Sequence, residues 1–484
     1  MDTPRLKIGW AQADITPPLP VLLCGQFHMR VAEGVHDPLT ATVLVLDDGD
    51  DQAVFVSCDL LRTSDELKAA TLDCLGGRAK GLDAGKVILH ATHTHTGPEL
   101  RLGNDTTQQQ ATARLMKIDA LEPAEYIRLA GGRIADAVAQ AWNSRSPGSI
   151  AYGMDYAVIG RNRRWANTHG VSTMLGQPNV PEFSHVEGYE DHSVGIIATR
   201  DAAGLLTGIV VNLTCPSQVY GGEYLVSADF WHDARQLLRQ KYGRSLHVLT
   251  QCGTAGDQCP HLLYDKKAHQ RMLDLVGRTE RQEYGLRVAD AVTRAMRILS
   301  SRTDATGPLR HHVGNLQLPA ARISEQEMQQ FHKQAQEQKQ VFEDWLLKLD
   351  ADPSLRNEPR WYNKPSRAAG LMAWSSDVVH RYLQQQNGQL DTWPCEMHVV
   401  RLGDIALASN PFEYYLDFGV FIKVRSKAVQ TFLVQLAGPG TYVPTLRSVQ
   451  GGGYGSTAAS NPVGPEGGRM LAEATVERIN EMWE

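Results

Sequence analysis

The chain interleaves two hydrophobic periods. Short β-branched runs lie at 40–49 (TATVLVLDDG), 53–59 (AVFVSCD), 86–95 (KVILHATHTH), 207–214 (TGIVVNLT), 246–251 (LHVLTQ), 397–410 (MHVVRLGDIALASN) and 431–437 (TFLVQLA), and each predicts a strand. The first two bracket Asp-Gly-Asp, a hairpin turn signal. The 207–214 run is almost continuously apolar, as in a strand covered on both faces. Helical periodicity occupies 122–142, 227–240 and 465–483. In the second of these Asp229 is placed to cap a helix with Ala234, Leu237 and Leu238 inward; the third begins on Pro-Glu. No internal repeat is present, and this alternation predicts an α/β (α+β layered) fold of mixed β-sheets packed with helices.

Residues 323–390 change character. Ser324 and Glu327 form a capping box, and Met328, Phe331, Ala335, Phe342, Trp345 and Leu349 then recur at steps of 3, 4, 7, 3 and 4. The pattern predicts a helix with one apolar seam and solvated Gln-rich faces. We read 323–390 as a helical insertion near a pocket mouth, within a single catalytic domain spanning 1–484.

Composition narrows the function. Of 484 residues 42% are apolar and 21% charged, ordinary for a soluble globular protein. A formal net charge of −6 argues against a nucleic-acid partner, while leaving room for a local basic pocket from Arg161, Arg163 and Arg164. No apolar run approaches the ~18–20 residues that span a bilayer, and residues 1–9 hold no signal-peptide core. The expectation is a cytoplasmic protein with a small-molecule substrate and no stable membrane insertion. Seven cysteines are too few for a disulfide scaffold in a chain this long, so reduced thiols are expected. Cys24, Cys58, Cys74 and Cys395 read as small buried apolar residues.

Candidate chemistry collects at strand ends. Strand alternation puts His93 and His95 on one face and His90 on the other. Two imidazoles on one face supply half a metal site, although the pair reads equally as buried or solvated histidines. Cys215 ends the 207–214 strand. Asp257 and Cys259 follow the 246–251 strand, Glu413 follows an Asn-Pro turn, and Tyr442 lies a short Gly-rich loop beyond 431–437. In layered α/β proteins the ligand crevice lies beyond strand ends. Asp257 also reads as a simple Gly-Asp turn residue.

These motifs resemble the catalytic domain of neutral/alkaline, non-lysosomal ceramidases. GWAQADITPP is similar to that family's G-x-A-D-I-T-x-P opening, AVFVSCDL to V-F-V-S-x-D-L, and HATHTHTGPE to T-H-T-H-[ST]-G-P. GTAGDQCP is similar to G-D-x-S-P, NPFEYY to P-[GF]-E-[FY], and TYVPT followed by GGYG to Y-[IV]-x-T then Y-E-G. The order is the family's, over roughly 7–480. The resemblance implies a zinc-dependent amidase or esterase. His93, Glu413 and Tyr442 would bind one Zn²⁺, His95 would face the scissile group, Arg163 in RNRRW would contact substrate, and Tyr454 would hydrogen-bond the developing oxyanion.

Two positions depart from the family. Cys215 stands where it has a second zinc-binding histidine, and Cys259 where it has the serine of G-D-x-S-P. A thiolate serves in either role, so Cys215 is expected as a ligand and Cys259, beside Asp257, as the nucleophile. His232, one turn after Asp229, is the alternative ligand. The family's further β-sandwich domain is not part of this sequence. Trp165, Trp231, Trp345, Trp361 and Trp374, with Arg161–Arg164, suit a smaller polar or sugar-like substrate. Competing readings are an amidohydrolase-type barrel, a glycan-processing hydrolase on the same scaffold, and a metal-free binding protein.

Overall fold

The computed structural model describes residues 6–102, 108–304 and 308–484. Its largest element is an eight-stranded mixed sheet. The strands are β1 (Lys7–Asp14), β2 (Thr40–Asp47), β3 (Gln52–Cys58), β4 (Val87–Ala91), β5 (Ser146–Tyr156), β6 (Ser193–Asp201), β7 (Leu206–Leu213) and β8 (His247–Cys252), in spatial order β8-β7-β6-β5-β1-β2-β3-β4. The expected hairpin is β2–β3, antiparallel with Leu44 opposite Phe55. Both edge pairs are parallel, β3 with β4 and β7 with β8. A second sheet runs β9 (Leu309–Pro319), β10 (Thr392–Leu402), β11 (Ile405–Ser409) and β12 (Gln430–Val434) in that order, with β11 and β12 parallel.

Period-2 side chains decide the layering. One face of the large sheet, through Val54, Val56, Val194 and Val211, packs on helices α1 (Asp65–Leu75), α2 (Pro123–Ser144), α3 (Phe230–Tyr242) and α4 (Glu280–Leu299). The other face, through Trp10, Leu44, Phe55, Ile197 and Val210, meets Val400, Leu407 and Phe432 of the second sheet. The outer face of the second sheet is covered by two helices near the C-terminus, Leu416–Arg425 and Pro465–Glu481. The order is thus helices, sheet, sheet, helices. Two open sheets rule out the amidohydrolase-type barrel, which needs one closed ring of parallel strands.

The 323–390 block is a pair of long helices, α5 (Glu325–Ala351) and α6 (Asn363–Gln386), set between β9 and β10, which pair with each other. Ser324 and Glu327 form the capping box at the start of α5. Asp229 caps α3, its carboxylate accepting from the Phe230 amide at 2.8 Å. Among the described residues no helix is long and apolar enough to cross a membrane. All seven cysteines are free.

Candidate active site

The three parallel pairs end side by side, and their exits are stitched together by backbone hydrogen bonds. Thr92 donates to Cys58 O at 3.0 Å, Gly253 to Leu213 O at 2.8 Å, Gln435 to Cys252 O at 3.0 Å, and His95 to Ser217 O at 3.3 Å. This rim carries the candidate residues.

The two histidines meet by a route that strand alternation does not describe. β4 stops at Ala91, and His93 adopts the left-handed conformation at φ 64°. The turn is held by Thr94 and Thr96, whose hydroxyls both donate to Ser227 O. It sets the two rings edge to face with centroids 5.0 Å apart. His93 Nδ1 lies 2.7 Å from Leu61 O. A carbonyl only accepts, so Nδ1 carries a proton, and Nε2 points at Glu413 Oε2, 3.3 Å away. His95 is packed against Gly25, where a Cβ would come within 2.6 Å of Nδ1. Its buried Nε2 has no partner. Burial foremost, then His93, Arg30 and Arg163, hold His95 well below the ordinary histidine pKa, so it is a neutral base.

Glu413 and Tyr442 are brought together by register. Glu413–Tyr414 and Tyr442–Val443 pair in parallel with Glu413 opposite Tyr442. Arg163 reaches this pair from a third segment. Its guanidinium donates to Gly256 O at 2.8 Å and Tyr442 Oη at 3.1 Å, and stands 3.9 Å from Glu413. Burial pushes the Glu413 pKa up, but His93, Arg163 and Arg62 outweigh it and hold the carboxyl down at about 2. The Tyr454 ring lies 5.5 Å from that of Tyr442. Tyr454 is 41% exposed, yet its hydroxyl is turned inward, and burial there raises its pKa, so it remains a donor.

Other expected residues lie differently. Cys215 does not join His93 and Glu413: among the described residues no three His, Cys, Asp or Glu side chains converge as a cation site. Its thiol donates to Pro216 O at 3.4 Å, and the ionisable groups around it are Cys252, Cys259, Asp229 and Arg161. His232 is no substitute, since it faces Asp37 at 3.8 Å. Asp257 is spent on bracing, with Oδ1 accepting from the Leu416 amide and Oδ2 from Asn162 Nδ2, each at 2.9 Å. Cys259 pairs in register with Arg161 and donates to His261 O at 3.4 Å. Burial pushes its pKa up to about 11. Arg161 and Arg163 both act by charge on Cys259, but Arg164 does not join them. Arg164 turns away from Arg163 into a buried pair with Glu187 and donates to Tyr454 O and Gly452 O at 2.8 and 2.7 Å, clamping the Tyr454 loop.

Three further features frame the site, and two of them, the main-chain partners of the histidines and Arg62, were not anticipated. Leu61 and Gly25 set the histidine tautomers through main-chain atoms, which no side-chain pattern reveals. Trp374 on α6 stands 5.5 Å from the Phe27 ring and 6.0 Å from that of Tyr454, so the helical pair reaches the site. Arg62, half-buried, acts on Glu413 and Tyr454 by charge. The V-F-V-S-x-D-L likeness ends two residues before it.

No family profile matches the chain, and no curated sequence does. Among solved structures, neutral ceramidase from Pseudomonas aeruginosa matches with a TM-score of 0.67 and 16% identity, over 100% of this chain and 75% of that one. A ceramidase complexed with C2 matches with a TM-score of 0.66 and 16% identity, over 100% of this chain and 76% of that one. The chain has the fold of the neutral ceramidases from end to end.

Proposed function

We propose that this protein is a metal-dependent hydrolase of amide or ester bonds, with zinc as the metal and a substrate smaller and more polar than a long-chain lipid amide. One observation carries the reading. His93 Nε2 and Glu413 Oε2 are buried 3.3 Å apart, and Nδ1 is committed to Leu61 O, so Nε2 and the carboxylate are aimed at each other. Such a pair needs a cation or a proton between it, and a histidine with its far nitrogen fixed by a carbonyl is the usual form of a metal ligand. His93, Glu413 and Tyr442 would hold the ion, leaving the fourth position open. Bound there, it would polarise the scissile carbonyl or acidify water. The chain's own groups supply the rest. His95 Nε2 is a free, neutral base, Tyr454 offers a phenol to a developing oxyanion, and Arg163 fixes Tyr442.

The test is metal analysis of the purified protein together with turnover of short acyl esters and anilides. About one zinc per chain is expected, lost in His93→Ala and Glu413→Ala. His95→Ala and Tyr454→Phe should keep the metal but lower kcat by roughly 10²-fold. Metal-free protein that turns over undiminished, or metal-loaded protein that only binds the probes, would refute the reading.

A further inference from the structure

The guanidinium groups near the site are satisfied unequally. Arg101 is held bidentate by Glu99, with Nε at 3.0 Å from Oε1 and an Nη at 2.7 Å from Oε2. Arg163 faces Glu413 and Tyr442. Arg30, fully buried, donates to the carbonyls of Cys24, His95 and Glu223. Arg62 alone of these makes no hydrogen bond and no ion pair among the described residues.

Its position is nonetheless fixed. The preceding carbonyl, Leu61 O, receives His93 Nδ1 at 2.7 Å. The following side chain, Thr63, donates to Leu436 O at 3.2 Å, and Ser64 caps α1. The Arg62 backbone is therefore pinned between the metal-facing histidine and a helix start. Its charge reaches Glu413, Tyr454 and Glu99, groups on three other segments of the rim. Among the described residues the guanidinium has no protein partner to give up, and its nitrogens are not sealed from solvent, so an acceptor can reach it.

We propose that Arg62 is a specificity-determining residue that binds a carboxylate carried by the substrate beside the scissile bond. The planar fork of one guanidinium matches one carboxylate in charge and geometry. A phosphate dianion would call for a second cation, and the guanidinium groups around the site are committed, Arg101 to Glu99 and Arg163 to Tyr442 and Gly256 O. The inference rests on the hydrolase reading for the meaning of "scissile", but not for the binding itself.

Calorimetric titration with N-butyrylglycine and N-butyrylglycinamide, which differ only in the carboxylate, tests it. Wild-type protein should bind the acid about 10-fold or more tightly than the amide. Arg62→Ala should abolish that preference, and Arg62→Lys should retain part of it. A thermal melt checks that each variant is folded, and Arg62→Lys decides the matter if Arg62→Ala is not. Equal affinity for the two probes in the wild type, or an undiminished preference in Arg62→Ala, overturns the proposal. An Arg62-dependent preference with neither probe cleaved leaves the carboxylate site standing and removes the hydrolase reading. Cleavage of both probes at equal rates, untouched by either substitution, does the reverse.

Discussion

A thiol attacks as thiolate, so a nucleophilic cysteine needs either a depressed pKa or a base in hydrogen-bond reach. Cys259 has neither. Its proton is directed at a backbone carbonyl, and burial, only partly offset by Arg163, carries its pKa up to about 11. We expect Cys259→Ala and Cys259→Ser to retain zinc and most of the turnover, within about 10-fold of wild type, the attacking group then being water. A Cys259→Ala protein that is metal-loaded, folded and inactive beside an active Cys259→Ser would restore the thiol as nucleophile. At this scale the sequence names residues that the fold gathers, and says less about what surrounds each. His93, His95, Glu413, Tyr442, Arg163 and Tyr454 do share one rim. Asp257 is engaged by an amide and an asparagine from distant segments, whereas Cys215 and Cys259 donate to carbonyls one and two residues on; a side-chain motif is blind to both kinds of partner.

At the scale of elements, the α5–α6 pair is the part whose position bears most on the site. α6 approaches the 27–29 segment so closely that a Cβ on Gly370 would lie 2.3 Å from Phe27 O, while Ser366 Oγ accepts from the Met29 amide at 2.9 Å. That contact seats Phe27 and Trp374 beside Tyr454. Two effects compete in Gly370→Ala. Helix propensity favours alanine by about 1 kcal/mol. Overpacking against backbone costs about 1–3 kcal/mol and moves the helix. We expect the second to win, giving a lower Tm and altered tryptophan fluorescence from Trp374. A raised Tm in Gly370→Ala would show that α6 does not bear on Phe27 as described. The capping box and apolar seam of α5 are legible in sequence because they are local; the contact of α6 with the 27–29 segment is not, because a pattern says which face is apolar but not what covers it.

At the scale of the whole molecule, a polar chain crosses from the first layer of helices to both sheets. Lys68 on α1 meets Glu396 on β10, Glu396 lies 2.9 Å from His398 Nε2, His398 Nδ1 lies 2.9 Å from His311 Nε2, and His311 Nδ1 lies 2.9 Å from Gln52 O on β3. The hydrogen bond to His398, helped by Lys68 and opposed by burial, holds the Glu396 pKa down at about 2, against an ordinary 4.5. A carboxyl depressed on folding contributes stability that is present above its unfolded pKa and is lost as pH falls through the folded one. The Tm advantage of wild type over Glu396→Gln should therefore be full above pH ~5 and shrink as pH falls from about 4.5 to 2. A difference that stays constant across that window would mean the carboxylate charge contributes nothing. Its partial exposure keeps the expected size modest.

What the amino-acid order determined by itself was carried by short-range periodicity. It marked β2, β3, β4, β7, β8, β10, β11 and β12, the β2–β3 hairpin, the caps of α3 and α5, and a set of polar residues at strand exits in an order resembling one family's, but not β5, β6, β9, α1 or α4. It also produced one inference with the right outcome for the wrong reason: His93 and His95 are adjacent because the chain turns after Ala91 with His93 in a left-handed conformation, not because a strand continues. Tertiary structure alone decided which exits face one another. The parallel register of Glu413 with Tyr442, the capture of His93 Nδ1 by Leu61 O and the diversion of His232 to Asp37 all join segments far apart in the chain. The physical reason is range. Side-chain periodicity records what a residue's near neighbours do, whereas tautomer, protonation and pairing are set by whichever distant backbone group arrives within about 3 Å.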